Sequence, residues 1–399
     1  MDLRSGHPYW LLRNGLPTAF PTLNKDIKCD VLVIGAGITG ALVAFHLAEA
    51  GFSTVIADKR EAAWGSTAAS TALLQYEIDT PLCELIGKLG QSHAVRAYLA
   101  CRDAIGKLDA LTRRLPDNCG FSLRRSLQVA PEDKALETLR REYGTRLQYG
   151  FDMEWWGPDD LRRQMGFERP GAIFSRDGAQ VDPYRLTWQL LMQGKKLGLH
   201  VFDRTPVTEY DFTPAGVSAR TDKGRTILAK HVVFATGYEA TELLERRIVD
   251  LNSSFALVSE PLTGPLWQDE CLVWEHADPY LYFRTTEDRR VIIGGEDEPF
   301  RNPEKRDALI PAKTKILLEK FAAYFPHLPV EVAFAWAGTF GETHDGLAYI
   351  GQVPEFPSAF FTLGFGGNGI TYSILAAEMI RDSLHGIRSP YEGLFGFNR

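Results

Sequence analysis

Cysteine is scarce and scattered in this 399-residue chain. Its five cysteines, Cys29, Cys83, Cys101, Cys119 and Cys271, are odd in number and form no CxxC pair. That argues against a disulfide framework and against a zinc site, and it points to reduced thiols in the cytoplasm. No run of about eighteen apolar residues occurs, so no membrane span is predicted. Basic clusters are also missing. With a formal net charge of −7 and a pI near 5.8, nucleic acids and anionic membranes are not expected as partners. The first residues lack the long apolar segment and small-residue cleavage site of a signal peptide, and none is expected. Repeats and low-complexity segments are absent. What is left is an ordinary globular composition, 45% hydrophobic and 24% charged, long enough for more than one domain.

The most informative stretch is "CDVLVIGAGITGALVAFHLAEAGFSTVIADKR", Cys29 to Arg60. Residues 30–34 are an all-apolar run that reads as a buried strand. A helical pattern follows from Ile38 to Ala50 and stops at Gly51, a natural C-cap. Residues 53–58 read as a second parallel strand, completing a β-α-β unit of about thirty residues. In "GAGITG", Gly35 allows the tight turn, Gly37 lets backbone approach a pyrophosphate, and Gly40 lets the helix pack on the strand. Ala36, Ile38 and Thr39 complete the turn, and the helix N-terminus offers its unpaired N–H groups to phosphates. Asp58 ends the second strand, where a carboxylate accepts ribose hydroxyls. A dinucleotide site is predicted; a glycine-rich turn without ligand is the plainer alternative. Lys59 and Arg60 either bind the 2′-phosphate of NADP or end a solvated strand. Asp58 would repel a phosphate at that place.

Further along, residues 86–114 read as a helix, and residues 8–23, rich in Pro and aromatics, as an extended arm. Residues 199–237 read as a three-stranded meander whose last strand, "HVVFATG", is apolar enough for the main sheet. Residues 255–300 are strand-rich, and 304–325 form a long helix. The expected fold is α/β with an α+β second domain: a Rossmann-like FAD-binding domain (27–85, 178–250 and 336–399) interleaved with an antiparallel-sheet substrate domain (86–177 and 251–335), with residues 1–26 as an arm.

Three segments favour FAD over NAD(P). "WGSTAASTALLQ", Trp64 to Gln75, is rich in small hydroxyl residues that let backbone approach a pyrophosphate or flavin. "FATG", Phe234 to Gly237, is a strand end on the nucleotide side. "GFGGNGITYS", Gly364 to Ser373, is a second glycine-rich helix start, whose N–H groups suit the pyrimidine edge of a flavin. A nicotinamide dehydrogenase has no evident use for that element.

With these segments the chain resembles the D-amino acid oxidase superfamily of FAD enzymes, and within it the γ-glutamylputrescine oxidoreductases, through "PTLNKDIKCDVLVIGAGITGALVAFHLAEAGF", "YFRTTEDRRVIIGGED" and "GFGGNGITYSILAAEMI". The resemblance implies that Gly35, Gly37, Gly40 and Asp58, with Ala36, Ile38, Thr39 and Lys59 around them, hold the ADP half of FAD. It places Ser66, Thr67, Ser70 and Thr71 against pyrophosphate and flavin, Val207 against adenine, and Thr236 and Gly237 at the adenosine pocket. Gly364, Gly366, Gly367, Asn368, Gly369 and Ile370 would line the pyrimidine side. Several positions depart from relatives. "GSTAASTA" replaces a Gly-Ala-Ser-Gly-Arg-Asn-Gly-Gly loop. Gly338 stands where sarcosine oxidases attach flavin to cysteine, and 64–75 has no histidine, so non-covalent FAD is implied. Phe340 stands where glycine oxidases place an arginine for the carboxylate, which favours an amine over a simple amino acid. Ile292 stands near the lysine that activates oxygen in sarcosine oxidases, which leaves the acceptor as O2 or another oxidant.

The implied chemistry is hydride transfer from the carbon beside an amine to flavin N5, with the imine hydrolysing to aldehyde or keto product. An NAD(P)-dependent dehydrogenase and a non-catalytic FAD-binding scaffold are the alternatives. Tyr282 and Arg284 share one face of a strand and are candidates for the pocket, Arg284 either binding a distal carboxylate or pairing with an acid. Trp336 and Phe340 are candidates for an aromatic wall, although core packing is the commoner role of such a Trp. His344–Asp345 either tunes protonation or forms a surface turn, and Gln75 and Tyr76 follow the flavin loop toward substrate.

Overall fold

The computed structural model describes residues 2–244 and 248–399. Two sheets organise it. The first has eight strands in the order Tyr349–Val353, Phe356–Leu363, Thr226–Phe234, Ile27–Ile34, Thr54–Ala57 and His200–Phe202, with the hairpin strands Val207–Thr213 and Gly216–Thr221 extending from Thr226–Phe234. Its centre is parallel, with Ile34 level with Phe234 and Ala57. The apolar run explains this position. Val31 and Val33 point into one core and Leu32 and Ile34 into another, so the strand is covered on both faces.

Helix Ile38–Glu49 is buried along nearly its whole length, packed on the sheet and against helices Gly369–Leu384 and Pro183–Lys196. A Cβ at Gly40 would collide with the Gly35 carbonyl. Gly35 itself has φ +102° and abuts the Ala235 carbonyl, a conformation and an approach that only glycine allows.

The second sheet has nine strands, running Val332–Glu342, Asp250–Ser259, Val291–Glu298, Leu281–Thr285, Leu272–Glu275, Ser122–Ala130, Gly171–Gln180 and Leu73–Gln75, with Met153–Trp156 beside Gly171–Gln180. It is antiparallel except where Leu272–Glu275 meets Ser122–Ala130. Residues 73–75 and 336–342 join this sheet although they lie in stretches assigned from the sequence to the nucleotide side, because their backbone donors pair with Gly171–Gln180 and Asp250–Ser259. One face packs under helix Pro303–Tyr324 around Phe283, Phe321 and Trp267. Side-chain alternation sends Tyr282 and Arg284 to the opposite face.

Two local expectations change. The helix read over 86–114 is two helices, Leu82–Leu89 and Gln91–Thr112, broken at Gly90 with φ +81°. The arm contains a short helix, Tyr9–Asn14, ended by Gly15. Ahead of it, residues 3–5 run beside 337–339, with Ser5 N–H donating to the Ala337 carbonyl and Thr339 N–H to the Leu3 carbonyl, each at 2.9 Å.

Phe283 meets Phe321 edge-on at 5.1 Å and Trp267 at 5.3 Å. Phe283→Ala is expected to destabilise the protein by about 3–5 kcal/mol through the cavity it leaves. Denaturant unfolding reads this, and FAD affinity should hold because the ring faces away from the cofactor side.

Candidate active site

A cavity of about 1160 Å³ lies between the sheets, larger than most small-molecule sites. Its lining runs from Asp58, Val207, Thr236 and Gly237 at the ends of the parallel strands to Trp336, Phe340 and Gly366–Ile370 against the second sheet.

At the first end, Asp58 accepts the Ala36 N–H through Oδ2 at 2.7 Å and the Arg60 N–H through Oδ1 at 2.8 Å. Burial pushes its carboxyl pKa up, against those two bonds. A carboxylate has about four acceptor positions, so two remain for ribose hydroxyls. Lys59 and Arg60 both pair with Glu239, at 2.9 and 3.1 Å. Lys59 lines the cavity, but its charge is already answered, and so is that of Arg60.

At the helix N-terminus, Ile38 N–H donates to Thr67 Oγ1 at 2.9 Å, and a Cβ on Gly37 would sit 3.0 Å from that oxygen. Thr39 shares a 2.8 Å hydrogen bond with Ser373. Ser66, Thr67, Ser70 and Thr71 all line the cavity. At the far end, the glycine turn is tied to residues 75–79. Asn368 Nδ2 donates to the carbonyls of Gln75 and Glu77 at 3.0 and 2.9 Å, and Gly367 N–H donates to Asp79 Oδ2 at 3.2 Å. Helix Gly369–Leu384 thus aims its N-terminus at the cavity.

Several expected residues stand elsewhere. Ala36 and Gly40 do not line the cavity: the Ala36 N–H is taken by Asp58, and Gly40 is pressed on Gly35. Gly364 is one turn too early; its left-handed backbone packs against Thr343 and Val249. Arg284 is corrected as a substrate residue. It is 2% exposed and outside the lining, donating Nε to the Thr71 carbonyl at 2.7 Å and Nη2 to the Val181 carbonyl at 3.0 Å. Ile292 is in the core, and His344 and Asp345 lie off the cavity, Asp345 held by Arg399 at 2.6 Å. Gln75 reaches the cavity and Tyr76 does not; the Tyr76 hydroxyl meets Arg146 and Ser175. Tyr282, Trp336, Gly338 and Phe340 do line it.

A group of acids went unnoticed in the sequence. Asp79, Asp278, Asp297 and Glu342 line the substrate end with Tyr280 and His276. They come from separate loops and strand ends, and no spacing signals them. The cavity wets Asp79, yet the protein around it and then Glu342 push its carboxyl up to about 7. Burial pushes Asp297 to about 6 and raises Glu342. Glu77, buried beside Arg146, rises to about 7.

The glycine approach, the free acceptor positions of Asp58, the hydroxyl-rich loop and the second helix N-terminus fit an FAD-type dinucleotide stretched across both sheets, which defines a two-sheet flavoenzyme. The chain belongs to the family of FAD dependent oxidoreductases called DAO, whose model matches residues 30–383. It is similar to γ-glutamylputrescine oxidoreductase of Escherichia coli strain K12, 26% identical over 384 residues, spanning 92% of this chain and 86% of that protein. It is 27% identical to the glycine oxidase of Bacillus licheniformis over 377 residues, 90% of this chain and 94% of that one. Its fold resembles the crystal structure of glycine oxidase from Geobacillus kaustophilus, with TM-score 0.79, 22% identity, and 94% and 99% of the two chains covered. The expected family, fold class, FAD cofactor and amine or amino-acid oxidoreductase class are borne out. The NAD(P) and scaffold alternatives are not favoured. No helix among the described residues is long and apolar enough to cross a membrane.

Two outcomes follow from this geometry. Asp58→Ala removes charge-assisted hydrogen bonds worth about 1.5–3 kcal/mol each, so FAD affinity of the apoprotein should fall at least tenfold in a flavin-fluorescence titration. The second concerns pH. Glu77, Asp79 and Asp297 bind protons more tightly folded than unfolded, so apoprotein stability should decline as pH rises from about 4.5 to 7. Thermal melts across that window check this, and Asp79→Asn should flatten the slope.

Proposed function

We propose that this chain oxidises the C–N bond of a cationic amine rather than of a simple amino acid. One observation carries the reading: the substrate end of the cavity is lined by carboxylates, while the Lys and Arg that line it among the described residues, Lys59 and Arg60, sit at the adenosine end in pairs with Glu239. A substrate carboxylate would meet Asp79, Asp297 and Glu342 with no arginine among the described residues lining that end to receive it, and an ammonium group would be welcome. Phe340 on the same wall and Arg284 turned away agree with this.

Bound FAD supplies the acceptor for the hydride that leaves the carbon beside nitrogen. It would be held without a covalent bond, since Gly338 stands on the cavity wall where related enzymes attach flavin to cysteine and the 64–75 loop holds no histidine. Trp336 and Phe340 confine the reacting carbon, and Asp297, whose Oδ1 has no hydrogen-bond partner among the described residues, receives an ammonium proton donor. Asp79, with a pKa near 7 and Oδ2 engaged by Gly367, takes the ammonium proton at Oδ1, because a base poised near neutral pH serves best. The imine product hydrolyses in water. The nucleotide sheet acts as the FAD unit and the second sheet as the substrate unit. Five free cysteines, with Cys101, Cys119 and Cys271 buried, support a reducing cytoplasmic setting.

Anaerobic mixing with a panel of amines tests the reading. Polyamines and N-acylated diamines should bleach the flavin, faster as pH rises, and D-amino acids and N-methyl amino acids should not. The reverse preference would sink the proposal. Asp79→Asn should lower kcat/KM for the active amine by about a hundredfold. Peroxide release on reoxidation in air distinguishes O2 from another electron acceptor.

A further inference from the structure

The loop that lines the cofactor cavity with Ser66, Thr67, Ser70 and Thr71 has its back held in an unusual way. Its successive carbonyls at Ala69, Ser70 and Thr71 each accept a hydrogen bond from a different buried side chain. Trp336 Nε1 donates to Ala69 at 2.9 Å, Trp10 Nε1 to Ser70 at 2.7 Å, and Arg284 Nε to Thr71 at 2.7 Å. The donors come from strand Val332–Glu342, the arm helix Tyr9–Asn14 and strand Leu281–Thr285. Trp10, Trp336 and Arg284 are all buried. The Arg284 guanidinium also lies 5.4 Å over the Trp10 ring, which joins two of the clamps into one unit.

The arm touches the same loop and cavity elsewhere. Arg4 Nε donates to the Trp64 carbonyl at 2.8 Å, at the loop's start. Leu3 accepts from Thr339 N–H at 2.9 Å, and its side of the strand forms part of the cavity wall. The arm helix has its own anchors: Arg13 to Asp288 at 3.0 Å, and Asn14 to Asp182 at 2.9 Å. With carbonyls tied outward, Ser66, Thr67, Ser70 and Thr71 line the cavity, Thr67 Oγ1 and Ser70 Oγ meanwhile accepting the Ile38 and Ala72 N–H groups.

We propose that the N-terminal arm, residues 3–14, is a working part of the flavin site: together with Arg284 and Trp336 it positions the 66–71 loop, so that arm docking and FAD binding strengthen each other. The inference rests on the FAD assignment but not on the choice of substrate. Arg284, an expected substrate residue, becomes a positioning residue for the cofactor. Because linkage is reciprocal, loosening the arm weakens FAD binding, and removing FAD loosens the arm.

Trp10→Phe tests this, since it deletes the donor to Ser70 and keeps a ring beside Arg284. The expected result is a Kd for FAD raised about tenfold or more and a shifted visible flavin spectrum, with Ile387→Ala, exposed beyond helix Gly369–Leu384 and away from both arm and cavity, behaving as wild type. Limited trypsin digestion of the wild-type protein gives a readout without any variant: cleavage at Arg4 and Arg13 should be slower with FAD than without. If Trp10→Phe fails to fold, Arg284→Lys, which keeps the charge and loses the two-point grip, should show the same loss of affinity. Wild-type FAD affinity in these variants, or cleavage of the arm at equal rates with and without FAD, would overturn the proposal. Absence of FAD binding by the wild-type protein itself would instead overturn the cofactor assignment.

Discussion

The approach of two backbones at Gly35 and Gly40 is the constraint on which the molecule depends. Strand Ile27–Ile34 can turn directly into helix Ile38–Glu49 only because no Cβ stands between the Gly35 carbonyl and the helix. That contact sets the helix N-terminus at the cavity mouth and brings Ala36 within reach of Asp58, 2.7 Å away. Asp58 therefore has two duties. It shapes the turn by accepting two backbone N–H groups, and it lines the cavity with acceptor positions to spare. Everything further along the cofactor is measured from that corner.

The cavity then spans two chemical environments. At the adenosine end, cations are present but matched by Glu239. At the substrate end, Asp79, Asp278, Asp297 and Glu342 are gathered with no Lys or Arg beside them among the described lining residues, and loss of hydration lifts Asp79 and Asp297 toward neutrality. Charge is thereby graded along the site, from cations paired with Glu239 at one end to clustered acids at the other. The second sheet supports this division by facing its aromatic core, around Phe283 and Trp267, away from the cavity.

Much of this was legible in the sequence where the signal is local. The all-apolar run at 30–34, the glycine spacing after it and the acid at 58 all act within a few residues, so their geometry follows from dihedral freedom and periodicity. The glycine turn before helix Gly369–Leu384 was legible for the same reason, although its reach was overestimated by including Gly364. Gly90 was missed as a break because mixed charge continues smoothly through it, and the arm helix because Pro and aromatics suggested extension. Arg284 was placed on the correct face, but facing a sheet's open side does not decide which cavity or carbonyl a long side chain reaches.

By itself, then, the sequence determined the β-α-β corner, the second glycine-rich helix start and the dinucleotide they imply, because hydrophobic period and glycine φ freedom operate over short distances. Tertiary structure alone decided the acid-lined end and the clamped loop. Asp79, Asp297 and Glu342 meet from distant segments, and the carbonyls of Ala69, Ser70 and Thr71 find donors from three separate elements. Such convergence is governed by how sheets and helices pack, and burial of each polar group requires a partner that no local pattern names.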